Sequence, residues 1–96
     1  MPEVTITHVI DSQGERAISG TTSVASPFKL KGTDTAGQGG NVTLMGSNSF
    51  PTQPYSANSG GVWQTDDFTV SSGSYSGQAT CSDTMQQSNV ISLSVT

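Results

Sequence analysis

The stretch from Ser59 to Phe68, SGGVWQTDDF, brings together the chain's one tryptophan and an adjacent pair of carboxylates. Two carboxylates that meet across a substrate can divide acid and base work, as in retaining glycosidases, where they stand roughly 5 to 5.5 Å apart. Neighbours on a strand point to opposite faces, so Asp66 and Asp67 fit solvated acids at a turn or strand edge better, where they also discourage edge pairing. Trp63 with Tyr55 or Tyr75 suggests a platform for stacking a sugar. The apolar flank of Val62 and Phe68 favours instead an indole packed between sheets. Cys81 is the single cysteine and His8 the single histidine. Any Cys-His or Ser-His-Asp arrangement would have to use His8, and there is no Gly-x-Ser-x-Gly elbow. Cys81 therefore reads as a small buried hydrophobe and His8 as a strand-end surface residue.

The remaining chemistry-bearing types are scattered. Asp11, Asp34, Asp66, Asp67 and Asp83 lie near turn signals and carry the hard oxygens that suit calcium, but none sits in a spaced Asp/Asn loop. One cysteine and one histidine make no zinc set. Gly37-Gln38-Gly39-Gly40 lacks the lysine and following helix of a phosphate loop and reads as a hairpin turn. Asn41-Val42-Thr43 matches the glycosylation sequon from within a predicted strand, where a chance match is the simpler reading. Met45 and Met85 are too isolated to form a binding stripe. These residues give no catalytic, cofactor-binding or metal assignment, and the chain reads as non-enzymatic.

The elements that must position them follow from composition. At 96 residues the chain makes one domain, 1–96. Residues of the apolar set make up 31% and charged residues 10%, with Ser, Thr, Gly, Asn and Gln filling the gap. Disorder usually couples low hydrophobicity to high net charge, and here the net charge is only -4. Polar, weakly charged chains rich in Thr, Ser, Val and Gly suit half-buried pleated surfaces joined by glycine-rich turns. No stretch repeats apolar residues at i, i+3, i+4, i+7, so essentially no helix is expected. Three basic residues, Arg16, Lys29 and Lys31, leave little electrostatic attraction for nucleic acid. No run approaches the roughly 18 apolar residues of a spanning helix, so no membrane insertion is expected.

Along the chain, Val4 to Ile10 reads as a first strand with Val4 and Ile6 on one face, ended by the turn Asp11-Ser12-Gln13-Gly14. Glu15 to Ser19 forms a short segment around Ile18, and Gly20-Thr21-Thr22 with Ser26-Pro27 breaks it from the next strand. Phe28 to Thr33 alternates, with Phe28 and Leu30 inward and Lys29 and Lys31 outward. Val42 and Leu44 face inward between Asn41 and Met45. Gly46 to Ser59 reads as an irregular edge segment. Trp63 is odd-numbered while Phe68 and Val70 are even, so the alternation slips near Asp66-Asp67. Tyr75, Gly77, Ala79 and Cys81 share a face after the Ser71-Ser72-Gly73 turn, and Ile91, Leu93 and Val95 point inward in the last strand. This makes about seven short strands with the turn spacing of a sandwich or barrel.

Four pieces carry a family resemblance: the opening strand with Asp11-Ser12-Gln13-Gly14, FKLKGTDTAGQGGNVTLMG at 28–46, GVW at 61–63, and SGSYSGQATCSDTMQQSNVISLSV at 72–95. Together they resemble the bacterial immunoglobulin-like domains repeated in large surface adhesins and other exported proteins. The resemblance implies an all-β, Greek-key sandwich of about seven antiparallel strands, cut from a longer multidomain chain. It implies a non-catalytic spacer or presentation module, related to adhesion, at the bacterial cell surface or outside the cell. Its partners would be the neighbouring domains of the same chain, with a host or matrix receptor or a glycan beyond them. An alternative is a carbohydrate- or receptor-binding module that uses the 46–59 loop, with Phe50 and Tyr55. The cysteine pair of antibody domains is absent, because Cys81 has no partner.

Overall fold

The computed structural model describes residues 4–35, 39–46, 51–82 and 85–96. Among them are nine strands and no helix: β1 (Val4–Asp11), β2 (Gly14–Ala17), β3 (Thr21–Val24), β4 (Lys29–Asp34), β5 (Gly39–Met45), β6 (Thr52–Ser56), β7 (Val62–Gln64), β8 (Gly73–Cys81) and β9 (Ile91–Val95). They form a four-stranded sheet in the order β2-β1-β4-β7 and a five-stranded sheet in the order β3-β9-β8-β5-β6. The inward side chains of both sheets belong to one apolar cluster, so the protein is a two-layered, sandwich-like all-β fold.

Local alternation explains most strands. In β4 the burial runs Leu30, Gly32 and Asp34 inward against Lys29 and Lys31 half-exposed and Thr33 exposed. In β5 Val42 and Leu44 are buried, and in β8 Tyr75, Gly77, Ala79 and Cys81 are. Ile91, Leu93 and Val95 are buried in β9. β1 begins with Val4 and Ile6 inward, then shifts register between Ile6 and His8, so that Val9 takes the next inward place. The bulge also sets His8 in the middle of the strand, half-buried, rather than at its end. β1 and β2 form a hairpin whose turn is the expected Asp11 to Gly14, closed by Asp11 Oδ1 accepting from the Gln13 amide at 2.9 Å.

Two features depart from the sequence reading. The expectation of about seven antiparallel strands gives way to nine among the described residues, and β3 pairs with β9 in parallel. β3 is four residues long and hemmed by Gly20 and the cis Ser26–Pro27 peptide. Local signals favoured a break there, and only the docking of Val24 beside Val95, far along the chain, makes it a strand. The 46–59 stretch likewise holds a regular strand, β6, which lies at the edge of its sheet as expected.

Between β7 and β8 the chain crosses from one sheet to the other. Tyr75, two residues into β8, folds its ring inward and donates its hydroxyl back to the Ser71 carbonyl at 2.9 Å. A Cβ on Gly46 would meet that ring at 2.4 Å, so the glycine makes the room.

Candidate functional site

The densest set of chemically capable side chains lies under the SGGVWQTDDF stretch. Trp63 on β7 is 1% exposed and stacks on Tyr55 of β6, with ring centroids 4.5 Å apart. The indole fits because Gly32 faces it across the β4–β7 pair: a Cβ there would lie 2.6 Å from the ring and 1.8 Å from the Thr5 carbonyl oxygen. The indole Nε1 is buried and has no hydrogen-bond partner among the described residues. Tyr55 donates its hydroxyl to Asp34 Oδ2 at 2.8 Å. Asp34 is fully buried at the end of β4, and its amide is held by the Gly61 carbonyl at 2.7 Å. Gly61 sits at a φ of +77°, a conformation open to glycine, and brings the chain close to Asp34 as it enters β7.

Burial pushes the Tyr55 hydroxyl well above its ordinary pKa, and the hydrogen bond to Asp34 and the neighbouring Cys81 push it further. Cys81 is fully buried. This cluster joins β4, β6 and β7 through stacking and the buried hydrogen bond of Tyr55 to Asp34, with Cys81 of β8 beside Tyr55. Its groups face the core, so a substrate would have to enter the packed interior to reach them.

A second polar cluster lies at the opposite edge. Asp11, whose side chain is 1% exposed, accepts from the Gln13 and Ala25 amides and from Arg16 Nη2 at 2.6 Å. Burial raises its carboxyl pKa, but these donors outweigh that effect and hold it below the ordinary 3.8. The pair borders a hollow of about 200 Å³ beside β3.

The remaining sequence candidates are dispersed. Asp66 and Asp67 are both exposed, and the inward series Trp63, Thr65, Phe68 slips across them as expected. Thr65 exchanges bonds with Leu30, its amide donating to the carbonyl and its Oγ1 accepting from the amide. Phe68 then pairs with Phe28, ring centroids 5.6 Å apart. His8 keeps its Nδ1 2.8 Å from Thr7 Oγ1. Asn41 is exposed on β5 and Tyr55 is 3% exposed, so its ring is not free to stack on a sugar. Phe50, Asp83, Gly37 and Gln38 lie outside the described residues. Among the described residues no three of His, Cys, Asp and Glu cluster closely enough to hold a metal ion.

Asn89, a residue with no sequence signal of its own, is a further structural tie. Its side-chain amide accepts from the Ile6 amide at 3.0 Å and donates to the Ile6 carbonyl at 3.2 Å, where β1 bulges past the end of β2. Comparison of the chain with protein-family models, with curated proteins and with solved structures finds no match.

Proposed function

We propose that this chain is an immunoglobulin-like Greek-key module with a non-catalytic role, which is to space or present neighbouring domains of an exported bacterial protein, in an adhesion-related setting at the cell surface or outside the cell. The observation that carries this reading is the corner made by Tyr75 and Ser71. A tyrosine near the start of the penultimate strand, bonding back to the backbone just upstream where the chain changes sheets, is a hallmark of immunoglobulin-type sandwiches. The neighbour order supports the same reading. β9, β8 and β5 lie side by side in one sheet and β1, β4 and β7 in the other, and the chain crosses between the sheets after β2, β3, β4, β6 and β7, a pattern of hairpins and crossovers that suits an immunoglobulin-type sandwich. Gly77 stands two residues after the corner tyrosine, where antibody domains keep a cysteine, and a Cβ there would crowd Leu44 and Ile91.

The two buried carboxylates are engaged in structure, which suits a module. Asp11 knits the β1–β2 hairpin to the end of β3, and Asp34 receives the Tyr55 hydroxyl. A test places the domain between donor and acceptor fluorescent proteins and follows energy transfer with temperature. A constant efficiency that collapses in one step at the unfolding midpoint is expected; continuous drift, as from a flexible linker, would overturn the spacer role. Labelling of an epitope-tagged copy on intact native cells by an impermeant reagent tests export, and signal only after lysis would refute it.

A further inference from the structure

A sheet edge presents unpaired backbone donors and acceptors, and a soluble protein has to neutralise each one. Ladder alternation tells which groups face outward. At β2, the Ile18 amide bonding to the Thr7 carbonyl sets Glu15 and Ala17 outward, and that edge is charged, with Glu15 held by Lys31 and Arg16 by Asp11. Beyond the end of β2, Asn89 occupies both backbone groups of Ile6. At β7, the bond from the Thr65 amide to the Leu30 carbonyl sets Val62 and Gln64 outward, and Asn58 takes both Val62 groups, accepting at 3.1 Å and donating at 2.8 Å. At β6, the Leu44 amide bonding to the Pro51 carbonyl sets Thr52, Pro54 and Ser56 outward, and Pro54 has no N–H to offer.

β3 differs. The Thr96 amide bonds to the Val24 carbonyl at 2.9 Å, so Val24 and Thr22 address β9 while Thr21 and Ser23 turn outward. Asp11 takes the Ala25 amide, which ends the edge. Between these ends β3 has no charge, no proline and no bulge. The hollow of about 200 Å³ opens beside it, bordered by Ser23, Val24, Ala25 and the mutually neutralised Asp11 and Arg16.

We propose that the outer edge of β3 receives an extended peptide segment of another protein by strand addition. Thr21 and Ser23 exchange backbone hydrogen bonds with it, and one aliphatic side chain of the segment fills the hollow. The segment is uncharged along the contact, because nothing on this edge carries a net charge to pair with it. A peptide fits better than a second copy of this chain: four residues pairing with four bury far less than the roughly 1,000 Å² a stable dimer needs, whereas an added peptide strand draws its affinity from main-chain hydrogen bonds and its specificity from a side-chain pocket such as this hollow. The proposal stands on the edge inventory alone and does not depend on the spacer reading.

The test pans a displayed library of linear dodecapeptides against the folded protein and measures amide hydrogen exchange with the selected synthetic peptides. In the free protein the Thr21 and Ser23 amides should exchange faster than those of Thr22 and Val24, and bound peptide should slow Thr21 and Ser23 selectively. Ser23→Pro, which removes an outward N–H and leaves the β9 ladder intact, should weaken binding at least tenfold. Protection of Gln64 or Thr52 instead, selection of no peptide that slows Thr21 and Ser23, or protection that rises with protein concentration without peptide would each overturn the proposal, the last by showing a second copy on the edge. Because the exchange pattern is read in the wild-type protein, the outcome holds even if Ser23→Pro fails to fold.

Discussion

In the four-stranded sheet, β1, β2 and β4 carry Asp11, Glu15, Arg16, Lys29, Lys31 and Asp34, while the five strands of the facing sheet contain no Asp, Glu, Lys, Arg or His. The second sheet turns outward Thr21, Ser23, Asn41, Thr43, Ser74, Ser76, Ser92 and Ser94, hydroxyls and an amide, with Thr43 bonding to Thr52 of the neighbouring strand at 3.2 Å. The first sheet uses ionised groups to fix its hairpin and its edge; the second relies on its backbone ladder and on apolar alternation. Acid should therefore act on the first sheet through Asp11, and the neutral sheet should be the quiet surface, open to contact by backbone rather than by charge.

Substitutions can break or sharpen that contrast. Trp63→Ala should have the largest effect, a loss of about 3 to 5 kcal/mol in chemical denaturation, because it removes the side chain on which β4, β6 and β7 converge. A change under about 1 kcal/mol would place the stability of the sandwich elsewhere. Tyr55→Phe should cost about 1 to 3 kcal/mol by removing the donor to buried Asp34 Oδ2. It also carries a pH signature. With the folded pKa raised above 10.0, the contribution of Tyr55 is full below that value and is lost as pH rises through the folded pKa, so the alkaline fall in stability should flatten in the variant.

Asp11→Asn tests the charged sheet alone, with an expected loss of about 1 to 2 kcal/mol at neutral pH. Its folded pKa lies below 3.8, so its contribution is full above that value and is lost as pH falls through the folded pKa. Melts in the acid range should show a shallower decline for the variant. Glu15→Gln should change stability by less than about 0.5 kcal/mol, because the Lys31–Glu15 pair at 3.2 Å is exposed and screened by salt. A larger, salt-dependent loss would mean that the charged face is a cooperative network rather than a set of local pairs.

Much of the fold was legible in the residues themselves. The outward lysines around Leu30, the slip at Asp66-Asp67 and the inward series of β8 and β9 all follow from side-chain period. The burial of Asp34 was not read, although the even series Phe28, Leu30, Gly32 extends one step to it, because a carboxylate beside turn signals looks like a turn acid. β3 and the Asn89 clamp were not legible. A four-residue strand between breakers has too little apolar surface to declare itself, and an asparagine that replaces a missing strand looks like any loop asparagine.

The sequence by itself determined the class of structure and the direction of most side chains, because alternation is a local property of the pleat and survives in one dimension. It also determined that Trp63 would be an anchor rather than a platform, through its apolar flank. Tertiary structure alone decided which strands are neighbours, that β3 runs parallel to β9, and that the charges gather in one sheet. Those outcomes depend on contacts between residues far apart in the chain, such as Val24 with Val95 and Ile6 with Asn89, whose pairing energy no local stretch contains.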